Sequence, residues 1–168
     1  MDNRCRLFRS LFRSLLPASA LLLAAAFALP AGNAMAQDAR IVAGTYTLVS
    51  NPLFGEHPRG QMILSQDGNY SIIFARAMLP RIAAGTRVKG TAEENKAIVD
   101  GSVAHYGKYT VDAKENVMTF HVEVSTFPNN DGSTSRRAFK VSGDQLTYTE
   151  NTPSSGGGPV DVVWRRIK

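Results

Sequence analysis

The sequence predicts an all-β fold, a small up-and-down antiparallel β-barrel of about eight strands with one short helical insertion. Three observations lead there. Short segments rich in β-branched and aromatic residues recur at close spacing, each with partial alternation of apolar and polar side chains. Turn residues separate them, Asp67-Gly68 most clearly, because tight hairpins demand a positive φ that such residues tolerate. A meander of so many short strands also leaves two raw edges unless its last strand closes onto its first.

The first residues read as an export leader. Arg4, Arg6, Arg9 and Arg13 form a basic start, Leu15 through Leu29 is apolar, and Ala34-Met35-Ala36 places small residues where a signal peptidase reads. The apolar run falls short of the roughly 20 residues that span a bilayer. These features predict a cleaved signal peptide over residues 1–36 and a domain over 37–168, periplasmic or secreted, with no membrane span after cleavage. The single cysteine, Cys5, lies in the leader, so the mature domain has neither disulfide nor thiolate ligand and depends on its core. Four of the 19 basic and one of the 14 acidic residues leave with the leader; the remaining 15 and 13 give a net charge of +2. Arg136-Arg137 and Arg165-Arg166 are pairs rather than a basic stripe, which sets nucleic acid aside as a partner.

In order, the predicted strands are Gly44 to Ser50, Gln61 to Ser65, Tyr70 to Arg76, His105 to Asp112, Val117 to Phe127, Ser135 to Val141, Gln145 to Thr149 and Val160 to Ile167. Asp67-Gly68 joins the second to the third, and Ser142-Gly143-Asp144 joins the sixth to the seventh. Between Ala77 and Ala104 the strand pattern fails. Thr91-Ala92-Glu93-Glu94 starts a helix there, with Thr91 as N-cap and Glu94 three residues on. Ala92, Ala97, Ile98 and Val103 are its candidates to face the body, as a cover for one barrel mouth or as a plain connection. Two further loops, Pro128 to Gly132 and Thr152 to Pro159, are polar and rich in glycine or asparagine.

The fifth strand has two competing faces. Met118, Phe120, Val122 and Val124 alternate with Thr119, His121, Glu123 and Ser125, so one row enters the barrel and the other meets water. With the apolar row inward the interior is packed; with the polar row inward, His121 and Glu123 stand two residues apart on a pocket wall, a pairing suited to general acid–base work. In that second arrangement Val111 pairs with Val117, bringing Tyr109 opposite Thr119, Gly107 opposite His121 and His105 opposite Glu123. Arg137 shares its face with Phe139 and Val141. It is a cation in an apolar wall, fit for an acidic ligand group or for an ion pair with Glu123. Tyr46, Tyr70, Phe74 and Trp164 are aromatics at strand spacing, as core or as cup lining. Three scattered histidines without cysteine have no metal-ligand spacing, so no metal is expected, and no cofactor motif is present.

Several segments together resemble the bacterial lipocalin-like domain family. They are Gly44-Thr45-Tyr46-Thr47-Leu48-Val49, Tyr106 to Asp112, His121-Val122-Glu123-Val124-Ser125, Arg137-Ala138-Phe139, Gly143 to Thr147 and Val163-Trp164. The resemblance implies a calycin-type β-barrel, a cup able to hold a small molecule, without implying one activity. The sequence departs from the family pattern at Tyr46, where a tryptophan is usual, and at Phe120-His121, where two histidines are usual.

The leading expectation is an exported barrel that binds a small hydrophobic or amphipathic molecule, with Tyr70, Tyr109, His121, Glu123, Arg137 and Trp164 as its ligand-binding residues. One alternative is an isomerase or cyclase with His121 as acid or base and Glu123 orienting it. Another is a protein-binding or inhibitory module acting through its loops, which requires a filled interior.

Overall fold

The alternation of side chains resolves into a closed barrel in the computed structural model, which describes residues 38–168. The leader expected over residues 1–36 lies outside the described residues. Among the described residues the strands are β1 (Gly44–Ser50), β2 (Arg59–Leu64), β3 (Asn69–Ala75), β4 (Ser102–Asp112), β5 (Val117–Ser125), β6 (Thr134–Ser142), β7 (Gln145–Glu150) and β8 (Val160–Arg166). Each is antiparallel to its sequence neighbour, and β8 pairs with β1 to close the ring. Every strand is therefore hydrogen-bonded on both sides, and no edge is left to recruit another chain. Among the described residues the core cluster runs from Ala39 to Trp164.

Antiparallel pairing sorts the connections between two ends. At one end the strands are joined by tight hairpins: Gly68 takes φ 82° between β2 and β3, and Gly143 takes φ 59° between β6 and β7. The helical residues 38–42 close this end, with Ala39 and Val42 buried. Tyr46 Oη donates to the Val42 carbonyl at 2.6 Å and accepts from Arg166 Nη2 at 2.7 Å, while the Arg166 guanidinium lies 5.3 Å from the Tyr46 ring centre. At the position where the family usually has tryptophan, the tyrosine hydroxyl thus ties the closing segment to the last strand.

The longer loops, residues 51–58, 76–101, 126–133 and 151–159, all sit at the other end. The expected helix is α1 (Ala92–Gly101), started by a full capping box between Thr91 and Glu94. Ala97 and Ile98 are half-buried, whereas Ala92 is exposed. Residue Phe54, from the 3-10 turn Pro52–Phe54, is what reaches the barrel rim. Its ring stacks on Phe74 with centres 5.4 Å apart.

The interior is packed. Met62, Leu64, Met118, Phe120, Leu146, Tyr148, Val162 and Trp164 are essentially inaccessible, and each large side chain contributes about 1.5–3 kcal/mol of burial free energy. For β5 the apolar row won as far as Val122: Met118, Phe120 and Val122 point in, and Thr119, His121 and Glu123 point out or to the rim, but past the bulge the parity reverses, leaving Val124 exposed and Ser125 buried. The β4–β5 register differs by one residue from the one that would have buried His121. Val111 pairs with Met118, Tyr109 with Phe120 and Lys108 with His121, and a bulge follows between Tyr106 and Gly107. A one-residue slip exchanges the faces of a strand, so the register alone decides which row meets water.

Candidate functional site

Toward the open end, the barrel interior holds a cluster of polar and titratable side chains among its aromatics. Arg137, on β6, is its centre. Its inward direction follows from alternation with exposed Arg136 and Ala138, and it is only 6% exposed. The guanidinium carbon lies 4.7 Å from the ring centre of Phe120 and 4.8 Å from that of Tyr148. Nε donates to Ser135 Oγ at 3.2 Å, and Nη2 forms an ion pair with Glu150 Oε2. The guanidinium has five N–H donors in a planar fork, so capacity remains for an incoming acidic group.

Glu150 is the last residue of β7, and its side chain is 14% exposed. Its other oxygen, Oε1, accepts from the Thr152 amide at 3.3 Å. The acid that neutralises Arg137 is thus held at a strand terminus beside solvent, where it can be replaced.

His105 and Tyr70 lie on the opposite wall, on β4 and β3. Tyr70 Oη and His105 Nδ1 are 2.9 Å apart, and the Tyr70 ring meets Phe120 edge-on at 4.9 Å. Burial and, to a lesser extent, the Arg137 charge together lower the His105 pKa to about 4; the imidazole is neutral at physiological pH. Burial also pushes the Tyr70 and Tyr148 hydroxyls up, with the Arg137 charge opposing in both cases. Among the described residues Tyr148 Oη and Trp164 Nε1 are buried within weak hydrogen-bonding reach of each other, and Tyr148 Oη within reach of Arg137, although neither atom makes a hydrogen bond of good geometry.

The sequence-predicted site residues divide. Tyr70, Tyr109, Arg137 and Trp164 are buried inside the barrel. Tyr109 stands nearer the closed end, where its hydroxyl donates to the Ser65 carbonyl at 2.7 Å. His121 is on the wet outer face, its Nδ1 3.1 Å from Thr134 Oγ1, and Glu123 is exposed at the β4–β5 bulge. The two do not form a pocket wall, and Glu123 is not the acid that meets Arg137; Glu150 is. His105, Tyr148 and Glu150 complete the interior cluster. Their signal was parity: His105 alternates with Tyr106 and Lys108 in step with Tyr109 and Val111, and Tyr148 and Glu150 continue the inward row begun by Leu146. Among the described residues no three His, Cys, Asp or Glu side chains come together to hold a metal ion.

A family model described as a lipocalin-like domain matches residues 40–167, the whole of the barrel from its closing segment to the end of β8. The chain belongs to the lipocalin-like domain family. No curated protein matches it. In this lipocalin-like barrel Arg137, Glu150 and His105 lie on the parts of β6, β7 and β4 nearer the long loops, and the hydroxyl of Tyr70, whose strand begins at the tight-hairpin end, reaches His105. Phe54, Phe74 and Trp164 form an aromatic column that runs from the long-loop end inward to Trp164, with Phe54 and Phe74 centres 5.4 Å apart and Phe74 and Trp164 centres 5.3 Å apart. The arrangement offers a buried cation, an acid paired with it at a strand end, a neutral imidazole and a tyrosine hydroxyl within an apolar wall.

Proposed function

We propose that this lipocalin-like barrel binds a small amphipathic acid at its open end, with the acidic group on Arg137 and the apolar part against Phe74 and Trp164. The observation that carries the reading is a nine-tenths buried cation set against the rings of Phe120 and Tyr148, with its ion-pair partner at the end of a strand. A barrel interior needs no cation for stability, since apolar residues of equal volume pack at least as well. In the empty protein Glu150 stands in for the ligand acid. On binding, the ligand group takes its place, Glu150 turns to solvent, and Phe54 swings off Phe74 to admit the apolar part. Gly55, at φ 77°, follows Phe54 directly and gives that short turn a hinge.

Trp164 is the sole tryptophan of the chain, so its fluorescence reports on the interior alone. Titrating a medium-chain fatty acid into the protein is expected to change Trp164 emission saturably, while the matching alcohol changes it far less. Glu150→Gln is expected to tighten the acid, because the competing carboxylate charge is gone, and Arg137→Met to abolish the preference for acid over alcohol. Equal responses to acid and alcohol, or none to either, would sink the proposal.

A second reading rests on the Tyr70–His105 pair. A neutral imidazole held against a tyrosine hydroxyl, with an arginine to steady developing negative charge, has the parts for moving a proton within a bound carbonyl compound, an isomerase chemistry. This transfers to His105 and Tyr70 the roles first considered for His121 and Glu123. Turnover of a ligand by the wild type and not by His105→Asn, with binding retained, is the expected sign.

The proposed setting is the periplasm or the exterior, after removal of residues 1–36. Protein recovered from that compartment is expected to begin at Gln37, and recovery only from the cytoplasm with the leader attached would contradict it.

A further inference from the structure

We infer that the loop between β3 and α1 docks the open end of the barrel on an anionic phospholipid surface. The inference stands on this loop alone and is independent of what the barrel binds. Residues 76–90 contain Arg76, Arg81, Arg87 and Lys89 and no acidic residue, and all four side chains are exposed. Among the described residues none of them is in an ion pair. A fifth cation, Arg59 at the rim of β2, is brought to the same place by donating from Nε to the Arg76 carbonyl at 3.3 Å.

The loop is a folded unit. Leu79 packs against Gly101 so closely that a Cβ there would stand 2.6 Å from its Cδ2, and Ile82 lies beside Gly90. The Ala83 amide donates to Glu94 Oε1 at 2.9 Å, which fastens the loop to the first turn of α1. That bond and the one from the Thr91 amide occupy the Glu94 carboxylate, and Asp100 is paired with Lys96, so two of the three acids of α1 are already engaged. With Leu79 and Ile82 half-buried, the loop nevertheless leaves Met78 and Val88 each 84% exposed, the two most exposed large apolar residues described.

Exposed apolar side chains set among unpaired cations, with no neighbouring acid in the loop, match one kind of surface best. A lipid bilayer offers negative headgroups to the cations and hydrocarbon to Met78 and Val88, whereas a nucleic acid or other soluble polyanion offers nothing to the latter. The strands all end at this rim, so a bilayer met by the loop faces the barrel mouth.

The test is flotation of residues 37–168, the proposed mature domain, which contains the closed barrel and the whole family match, with phosphatidylcholine vesicles that do or do not include phosphatidylglycerol. The leader is omitted because its apolar run would itself enter lipid. Binding is expected only with phosphatidylglycerol, and to weaken as salt is raised. Each cation removed is expected to lower the partition about fivefold, so Arg81→Gln/Arg87→Gln/Lys89→Gln falls about a hundredfold. Met78→Ser/Val88→Ser is expected to lower it as well, while heparin binding, measured in parallel, stays unchanged. All five positions are exposed, and an unchanged unfolding midpoint verifies that the barrel is intact. No flotation, equal flotation on neutral vesicles, or a triple variant that floats like the wild type overturns the inference; so does vesicle binding indifferent to Met78 and Val88, which would mark a general polyanion site.

Discussion

The Arg137–Glu150 pair can be dissected by stability alone. Glu150→Gln leaves the guanidinium buried beside Phe120 and Tyr148 with its counter-charge removed. Breaking a buried ion pair costs about 3–5 kcal/mol, and the 14% exposure of Glu150 together with the carbonyl that glutamine retains places this case at about 2–3 kcal/mol. Arg137→Met/Glu150→Gln removes both charges and keeps an unbranched side chain against the two rings. It forfeits cation–π attraction of about 1–2 kcal/mol per ring, but gains sulfur–aromatic contact and is released from a desolvation cost of several kcal/mol. The double variant is therefore expected to lie within about 1 kcal/mol of the wild type, or above it. Urea unfolding at neutral pH, followed through Trp164, measures all three proteins. If the double variant is destabilised as much as Glu150→Gln, the pair is a structural keystone, and the argument that a cation is kept inside for binding fails.

Three further outcomes are expected. Gly107→Ala places a Cβ 2.1 Å from the His121 carbonyl oxygen and 2.8 Å from the Glu123 nitrogen at the β4–β5 bulge; both atoms are backbone, so thermal unfolding should register a loss of about 3 kcal/mol or more. His105 has its folded pKa lowered from 6.5 to about 4, so the unfolded chain takes up its proton first: the stabilisation is complete above pH 6.5 and is lost as pH falls toward 4. The loss reaches up to about 3 kcal/mol, and His105→Asn should flatten that part of the stability profile against pH, whereas an unchanged profile would mean that the ring is solvated. Tyr46→Phe removes the donor to the Val42 carbonyl and the acceptor for Arg166, and should cost about 1–2 kcal/mol in urea unfolding, with hydrogen exchange fastest to rise in residues 38–42.

Much of the barrel was legible in the residues, because a strand writes its own period. Segments such as Tyr70–Phe74 and Leu146–Tyr148 alternate regardless of what they meet, and Asp67-Gly68 forms a turn from local φ preferences alone. The capping box at Thr91 and Glu94 is likewise contained within one helical turn. Strand ends were less legible: β2 begins at Arg59 and β4 at Ser102, where the pattern of side chains is weak and the pairing partner extends the strand.

For the candidate site, the sequence by itself determined that Arg137 shares a face with Phe139, and that Tyr70, Tyr109 and Trp164 stand at strand spacing. It did not determine which row of β5 enters the barrel, since Met118–Val122 and Thr119–Glu123 are equally regular as alternations. That choice belongs to the register with β4, where Lys108 meets His121 and the bulge at Gly107 shifts the remainder. Nor does any local rule join Arg137 on β6 to Glu150 at the end of β7, or Tyr70 to a histidine 35 positions away. Period and turn chemistry act within a few residues, whereas register and inward partnership arise only when the sheet closes and every strand must agree on a single interior.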